Sequence, residues 1–137
     1  MSMNVNVQWD GDLSFKGSTG SGFEIMIDGE QKKGARPLEM MLLGLGGCAS
    51  YDVISILKKT RQDVVDCVAQ IEAQRADTVP SVFTKIHVKF VVSGRNLKEN
   101  HVKRAVQLSA EEYCSASLML EKAGVEITHS YELVEVE

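Results

Sequence analysis

The first third of the chain alternates. Met3, Val5, Val7 and Trp9 are separated by Asn4, Asn6 and Gln8, the period of a half-buried strand, and Asp10-Gly11 supplies a hairpin turn. Leu13 and Phe15 continue on a second strand, residues 17–22 are a turn rich in Gly and Ser, and Phe23, Ile25 and Ile27 alternate on a third. Asp28-Gly29 closes that strand, and residues 31–36 form a polar, basic loop. Pro37 suits a first helical position and Glu39 places an anion in the first turn, so a helix is predicted from Pro37 to about Thr60. Its first half, Met40 to Ala49, is apolar on every side, which predicts a helix buried all round. Gly44, Gly46 and Gly47 each cost up to ~1 kcal/mol relative to Ala in a helix interior, so another element is expected to approach this backbone closely. The second half is amphipathic, with Val53, Ile56 and Leu57 set against Asp52, Lys58 and Lys59.

Two further strands follow. In residues 65–73, Cys67, Ala69 and Ile71 share one face and Asp66, Gln70 and Glu72 the other. Residues 77–81, with Pro80, make the turn, and Ile86, Val88, Phe90 and Val92 then alternate with Lys85, His87 and Lys89. From about Leu97 to Ala123 the pattern is helical again, with Gly124 in the C-cap place and the Ser-rich segment around Cys114 as a candidate break into two helices. Residues 125–136 alternate as a last strand. The order βββ-α-ββ-α(α)-β predicts an α+β fold of antiparallel sheet around central buried helices. An all-apolar helix is hard to cover within one small domain, so an intertwined homodimer is the expected architecture.

At 137 residues the chain is read as one domain, 1–137, with a core large enough to fold without covalent staples. A net charge of −4 and scattered basic residues argue against a nucleic-acid partner. No basic-then-apolar leader opens the chain, and the run Met40–Ala49 is shorter than the ~20 residues of a membrane span, so no membrane association is expected. A cytoplasmic location is the expectation, where thiols stay reduced and a disulfide is more often catalytic than structural. Three cysteines in no metal-ligand spacing indicate neither a disulfide scaffold nor a metal site, and no cofactor is expected. The GLGG run lies inside a helix pattern and lacks a following Lys-Ser/Thr, which excludes a phosphate loop.

What remains is thiol chemistry. Cys48 lies in the long apolar helix and Cys114 in a later helical run, and each alone reads as a small buried hydrophobe. As a pair they could carry a peroxide-reducing cycle, in which a sulfenic acid on one is resolved by the other. Cys67 reads as core, and His87, His101 and His129, in separate elements, as surface or hydrogen-bonded structural histidines. A thiolate in mid-helix needs a cation from elsewhere. Arg36 is about twelve residues from Cys48, about 18 Å along a straight helix.

The segments PLEMMLLGLGGCASYD around Cys48, EEYCSASLMLEK around Cys114 and the closing VEITHSYEL give the chain a resemblance to the OsmC/Ohr family, the osmotically inducible and organic-hydroperoxide-resistance proteins, in the branch with GGC at the first cysteine. The likeness covers essentially the whole chain. It implies the OsmC-like fold and an intertwined homodimer, with Cys48 the peroxidatic and Cys114 the resolving thiol. It also implies organic hydroperoxides as substrates and an external dithiol reductant, lipoylated proteins among them. Family peroxidases carry a Glu directly after the motif's Pro, which helps to hold an activating Arg. Here that position is Leu38, the carboxylate comes one residue later as Glu39, and residues 1–35 contain no arginine. Arg36 and Glu39 are the substitutes assigned to the site, with Lys16, Lys32 and Lys33 as other candidate cations. The rival expectation is a non-catalytic OsmC-like dimer that binds a small apolar ligand or acts as a slow redox sensor.

Overall fold

The computed structural model describes all residues, 1–137. The chain forms strands β1 (Val5–Trp9), β2 (Ser14–Thr19) and β3 (Glu24–Asp28), helix α1 (Pro37–Lys59), strands β4 (Asp63–Arg75) and β5 (Phe83–Arg95), helix α2 (Glu99–Leu108), a π-helical turn (Ser109–Tyr113), helix α3 (Ser115–Lys122) and strand β6 (Glu126–Glu135). The order is the predicted one, with α1 at its predicted bounds. The second helical region is broken before Cys114, by a π turn. Two compact units divide the chain, residues 1–43 and 44–137, the boundary falling inside α1.

The first unit is built on an antiparallel sheet in the order β1-β2-β3. Asp10 to Ser14 makes the first turn, and Val5 pairs with Thr19 through to Trp9 with Phe15. Every residue of β1 is exposed, Trp9 at 68%. Asp28, 3% exposed, anchors the loop after β3 by accepting the backbone N–H groups of Glu30, Lys32 and Lys33. The Glu30 bond is the main cause that holds its carboxyl below the usual range.

The second unit has a sheet in the order β4-β5-β6. The central strand β5 is a period-two run whose inward residues Ile86, Val88, Phe90 and Val92 are at most 1% exposed. Burying each such side chain stabilises the fold by about 1.5–3 kcal/mol. Also buried are Leu45, Ala49, Val53 and Leu57 of α1 and Val102, Ala105 and Val106 of α2, each set at helical spacing. β4 pairs antiparallel with β5, but β6 joins β5 in parallel, Ile86 beside Ile127 and Phe90 beside Tyr131. The expectation of purely antiparallel sheet is corrected here. The α2–π turn–α3 segment is a crossover long enough to return the chain to the other end of the sheet, and side-chain alternation is the same for either strand direction.

Helix α1 departs from expectation in its burial. Within one chain it buries a stripe, Leu45, Gly46, Ala49, Val53 and Leu57, while Met41, Leu43 and Tyr51 are exposed. By length and mean hydropathy alone the whole 23-residue helix could span a bilayer, unlike its Met40–Ala49 run. Of the three helical glycines only Gly46 has a close neighbour, the Ile71 Cδ1 of β4, whereas Gly44 and Gly47 face open space. Cys67, taken as core, is half-buried on the inward face of β4 opposite Val92.

These contacts rank the glycines. A Cβ at Gly94 would collide with the Asp63 carbonyl and the Leu97 side chain, and backbone cannot yield there. Gly94→Ala should destabilise by about 1–3 kcal/mol or more in urea denaturation. In Gly46→Ala, with only the movable end of Ile71 in the way, the strain should be largely offset by a helix-propensity gain of up to ~1 kcal/mol.

Candidate active site

The π turn builds the site. Its wider winding ends when the Cys114 N–H donates to the Ser109 carbonyl at 2.8 Å, five residues back. Cys114 itself is extended, with φ −76° and ψ 99°, and is at once the end of the π turn and the N-cap of α3. Its Sγ accepts the Ser117 backbone N–H at 3.4 Å. The same turn aims Ser109 at α1. The Ser109 hydroxyl donates to Asp52 Oδ2 at 3.0 Å and lies 3.4 Å from the Ala49 carbonyl. Ser109, Ser117 and Cys114 are at most 1% exposed, while Cys48 and Asp52 are half-buried.

Cys48 and Asp52 are one helical turn apart on α1, which puts them on the same face, and both act on Cys114. The Cys114 thiol is pushed up to about 12. Burial is the chief cause, since a thiolate would lose its water. The Cys48 thiol adds to it as hydrogen-bond partner and as charge, and the Asp52 carboxylate repels a second negative charge. The Ser117 amide works in the opposite direction, as a helix N-terminus does for an anion. Desolvation wins, so Cys114 is a thiol throughout the neutral range. Cys67 is also raised, by burial and then by Asp66.

The four residues expected at the site therefore fall into two pairs. Cys48 and Cys114 come together in the second unit. Arg36 and Glu39 come together in the first, where Glu39 Oε1 accepts the Arg36 backbone N–H at 2.9 Å and lies 3.5 Å from its Nε. Gln31 Nε2 is 3.4 Å from the same oxygen. The Arg36 amide is the main cause that holds the Glu39 carboxyl below its usual value. Glu39 thus caps the start of α1 and Arg36 is its partner across three residues. Asp52 and Ser109 were not anticipated. The i to i+4 spacing from Cys48 could have flagged Asp52, but nothing local flags Ser109, whose role depends on the π turn.

The histidines lie in other settings. Both ring nitrogens of His87 are engaged, Nδ1 with Thr128 Oγ1 at 2.6 Å and Nε2 with Ser130 Oγ at 2.8 Å, as for a structural histidine. His129 is half-buried and its burial disfavours the protonated form. No three His, Cys, Asp or Glu side chains are gathered as a metal site.

The chain belongs to the OsmC-like protein family, whose match covers residues 29–130. It is 51% identical over 133 residues to protein YhfA of Escherichia coli K12, across 96% of this chain and 98% of that protein. Among solved structures, a hypothetical protein of Aquifex aeolicus is 31% identical with a TM-score of 0.90, covering 100% of this chain and 99% of its own. An OsmC-like protein of Mycoplasma pneumoniae shares the fold at 17% identity, with a TM-score of 0.85 over 98% of each chain.

The raised Cys114 gives a stability prediction. Its folded-state value lies above the ordinary thiol value of 9.0, so the native state holds the proton longer than the unfolded state. The contribution is fully present below pH 9 and is lost as pH rises from 9 towards about 12. Urea titrations at stepped pH should show wild-type stability falling over that window, and Cys114→Ala should make the slope shallower by the Cys114 share, leaving that of the likewise raised Cys67 and Tyr131.

Proposed function

We propose that this protein is a thiol-dependent peroxidase of organic hydroperoxides that works through Cys48 and Cys114 in oxidative-stress defence. The observation that carries this reading is the pairing of a half-buried cysteine with a fully buried, protonated one on facing elements. The resemblance to the OsmC/Ohr proteins supports the same assignment. The Cys48 thiolate attacks the outer peroxide oxygen. The O–O bond breaks, Cys48 becomes a sulfenic acid, and the alkoxide takes a proton and leaves as alcohol. Cys114 then attacks the Cys48 sulfur, the S–O bond breaks, and the Cys114 proton leaves with the hydroxide as water. An external dithiol, for which lipoylated proteins are the proposed source, reduces the disulfide by exchange.

In this reading the working form is a cytoplasmic intertwined homodimer. The exposed apolar residues Val5, Val7 and Trp9 of β1 and Leu43 and Tyr51 of α1 support a partner surface, since one chain leaves them uncovered. The Arg36–Glu39 pair is the proposed source of the activating cation. One observation favours a slower redox sensor instead. The resolving thiol is held so far from ionisation that disulfide closure is disfavoured in the resting protein.

The test is mass spectrometry with free-thiol counting after one equivalent of cumene hydroperoxide. Wild type should close a Cys48–Cys114 disulfide rapidly. Cys114→Ser should accumulate over-oxidised Cys48, and Cys48→Ser should stay reduced. Thiols that stay reduced in wild type under excess hydroperoxide would defeat the peroxidase reading and leave the family assignment intact.

A further inference from the structure

In the second unit β6 packs against α2, and the seam between them is hollow where α2 passes into the π turn. The cavity measures about 290 Å³. Its floor is apolar, formed by Val106, 4% exposed, and Ala110. One wall is His129 and Tyr131, two residues apart and both half-buried on the same face of β6. Along the opposite rim stand Lys103, Gln107 and Glu111 at steps of four residues, so one helical ridge offers an ammonium, an amide and a carboxylate in that order.

These polar groups are without partners inside the chain. Around His129 on β6, Thr128 and Ser130 bond to His87 and Tyr131 donates to Glu99, but neither ring nitrogen of His129 is engaged. A half-buried imidazole ordinarily finds a partner. The ion pairs of the chain all lie elsewhere, so Lys103 and Glu111 are unpaired too. Glu99, one turn before Lys103, is taken up by the Tyr131 hydroxyl at 3.0 Å. That bond orients the seam: Tyr131 lies towards the Lys103 end and His129 towards the Glu111 end. Consistently, Glu121 of α3, beyond the π turn, bears on His129.

We propose that this seam is a binding site for a short peptide with both ends free, of dipeptide length, whose carboxylate meets Lys103 and whose ammonium meets Glu111 and His129. The site is separate from the thiol pair and does not depend on the peroxidase reading. A ligand of one charge fits it poorly, since an anion would face Glu111 and a cation Lys103. Two charges of opposite sign at the ends of one ridge match a ligand that carries both. Its length follows from the wall. His129 and Tyr131 are two strand residues apart, about 7 Å, which is the span of an extended dipeptide. Burial disposes His129 to its neutral form, which keeps one nitrogen free to accept an ammonium N–H. Gln107, between the two charges, has a donor and an acceptor for the peptide group. Val106, Ala110 and the Tyr131 ring face one apolar side chain. The cavity volume is the share of about ten waters at ~30 Å³ each, enough for a dipeptide.

The probe is glycyl-leucine, added to the full-length protein and followed by amide chemical-shift titration, which reads millimolar affinities. Two blocked relatives report on the ends separately. N-acetyl-glycyl-leucine lacks the ammonium, and glycyl-leucinamide lacks the carboxylate. The free dipeptide should shift residues 103–111 and 129–131, and each blocked form should bind roughly tenfold more weakly, because one charged hydrogen bond is gone. Lys103 and Glu111 are exposed, so their substitution leaves the core intact. Lys103→Met should weaken the free dipeptide about tenfold and leave glycyl-leucinamide unchanged. Glu111→Gln should weaken it comparably and leave N-acetyl-glycyl-leucine unchanged. A general disturbance of the fold would weaken all three probes together.

Absence of shifts in these residues with glycyl-leucine at roughly 10 mM would overturn the proposal. Blocked dipeptides that bind as tightly as the free one would do the same. So would an unchanged affinity for glycyl-leucine in both Lys103→Met and Glu111→Gln, or a loss in either variant that extends equally to all three probes.

Discussion

The contact that organises the second unit's chemistry is the seating of Ser109 on α1. A buried hydroxyl must find a partner or lose about 1–3 kcal/mol, and here it finds the Asp52 carboxylate, with the Ala49 carbonyl at the limit of bonding range. To present that hydroxyl the chain winds one π turn between α2 and α3. The π turn ends in an extended residue, and that residue is Cys114. One hydrogen bond to α1 therefore determines where α3 begins, which side chain caps it and which thiol meets Cys48.

Two opposed effects meet at Cys114. A helix N-terminus with its free amides is a place where thiolates are usually stabilised, and Ser117 supplies such an amide at 3.4 Å. Complete burial removes the solvation that any thiolate needs, and Asp52 and Cys48 add like charge. The second set prevails by a wide margin. In the resting protein Cys114 is therefore held as a thiol. The two cysteines thus sit in unequal environments, Cys48 half-buried and Cys114 fully buried.

The glycines of α1 illustrate how a single chain's packing differs from a sequence impression. Three glycines in four positions suggest close approach on several sides, but only Gly46 meets another side chain, Ile71 of β4. The helix was expected to be buried all round, and it instead buries one stripe and leaves Met41, Leu43 and Tyr51 in the open. Hydropathy counts apolar residues without saying what covers them, so an all-apolar helix looks the same whether one chain encloses it or two are needed.

The order and kinds of elements were legible because they follow from local rules that each segment obeys alone. Alternation marked β1 to β6, Pro37 and Glu39 marked the start of α1, and Gly124 marked the end of α3. The same patterns singled out Cys48 and Cys114, since two thiols on separate helical runs are visible without coordinates. Long-range geometry decided the rest. The direction of β6 beside β5 depends on how the crossover returns, which side-chain alternation leaves open. The pairing of Arg36 with Glu39 depends on the start of α1, where the shared carboxylate oxygen also takes the Arg36 amide. The Asp52–Ser109 link joins residues 57 positions apart through a π turn that has no sequence signature. The sequence by itself determined the elements and the reactive residue types, because propensity and periodicity are local. That Cys114 is held as a thiol was decided by tertiary structure alone, because burial and the placement of a charge exist only once distant segments meet.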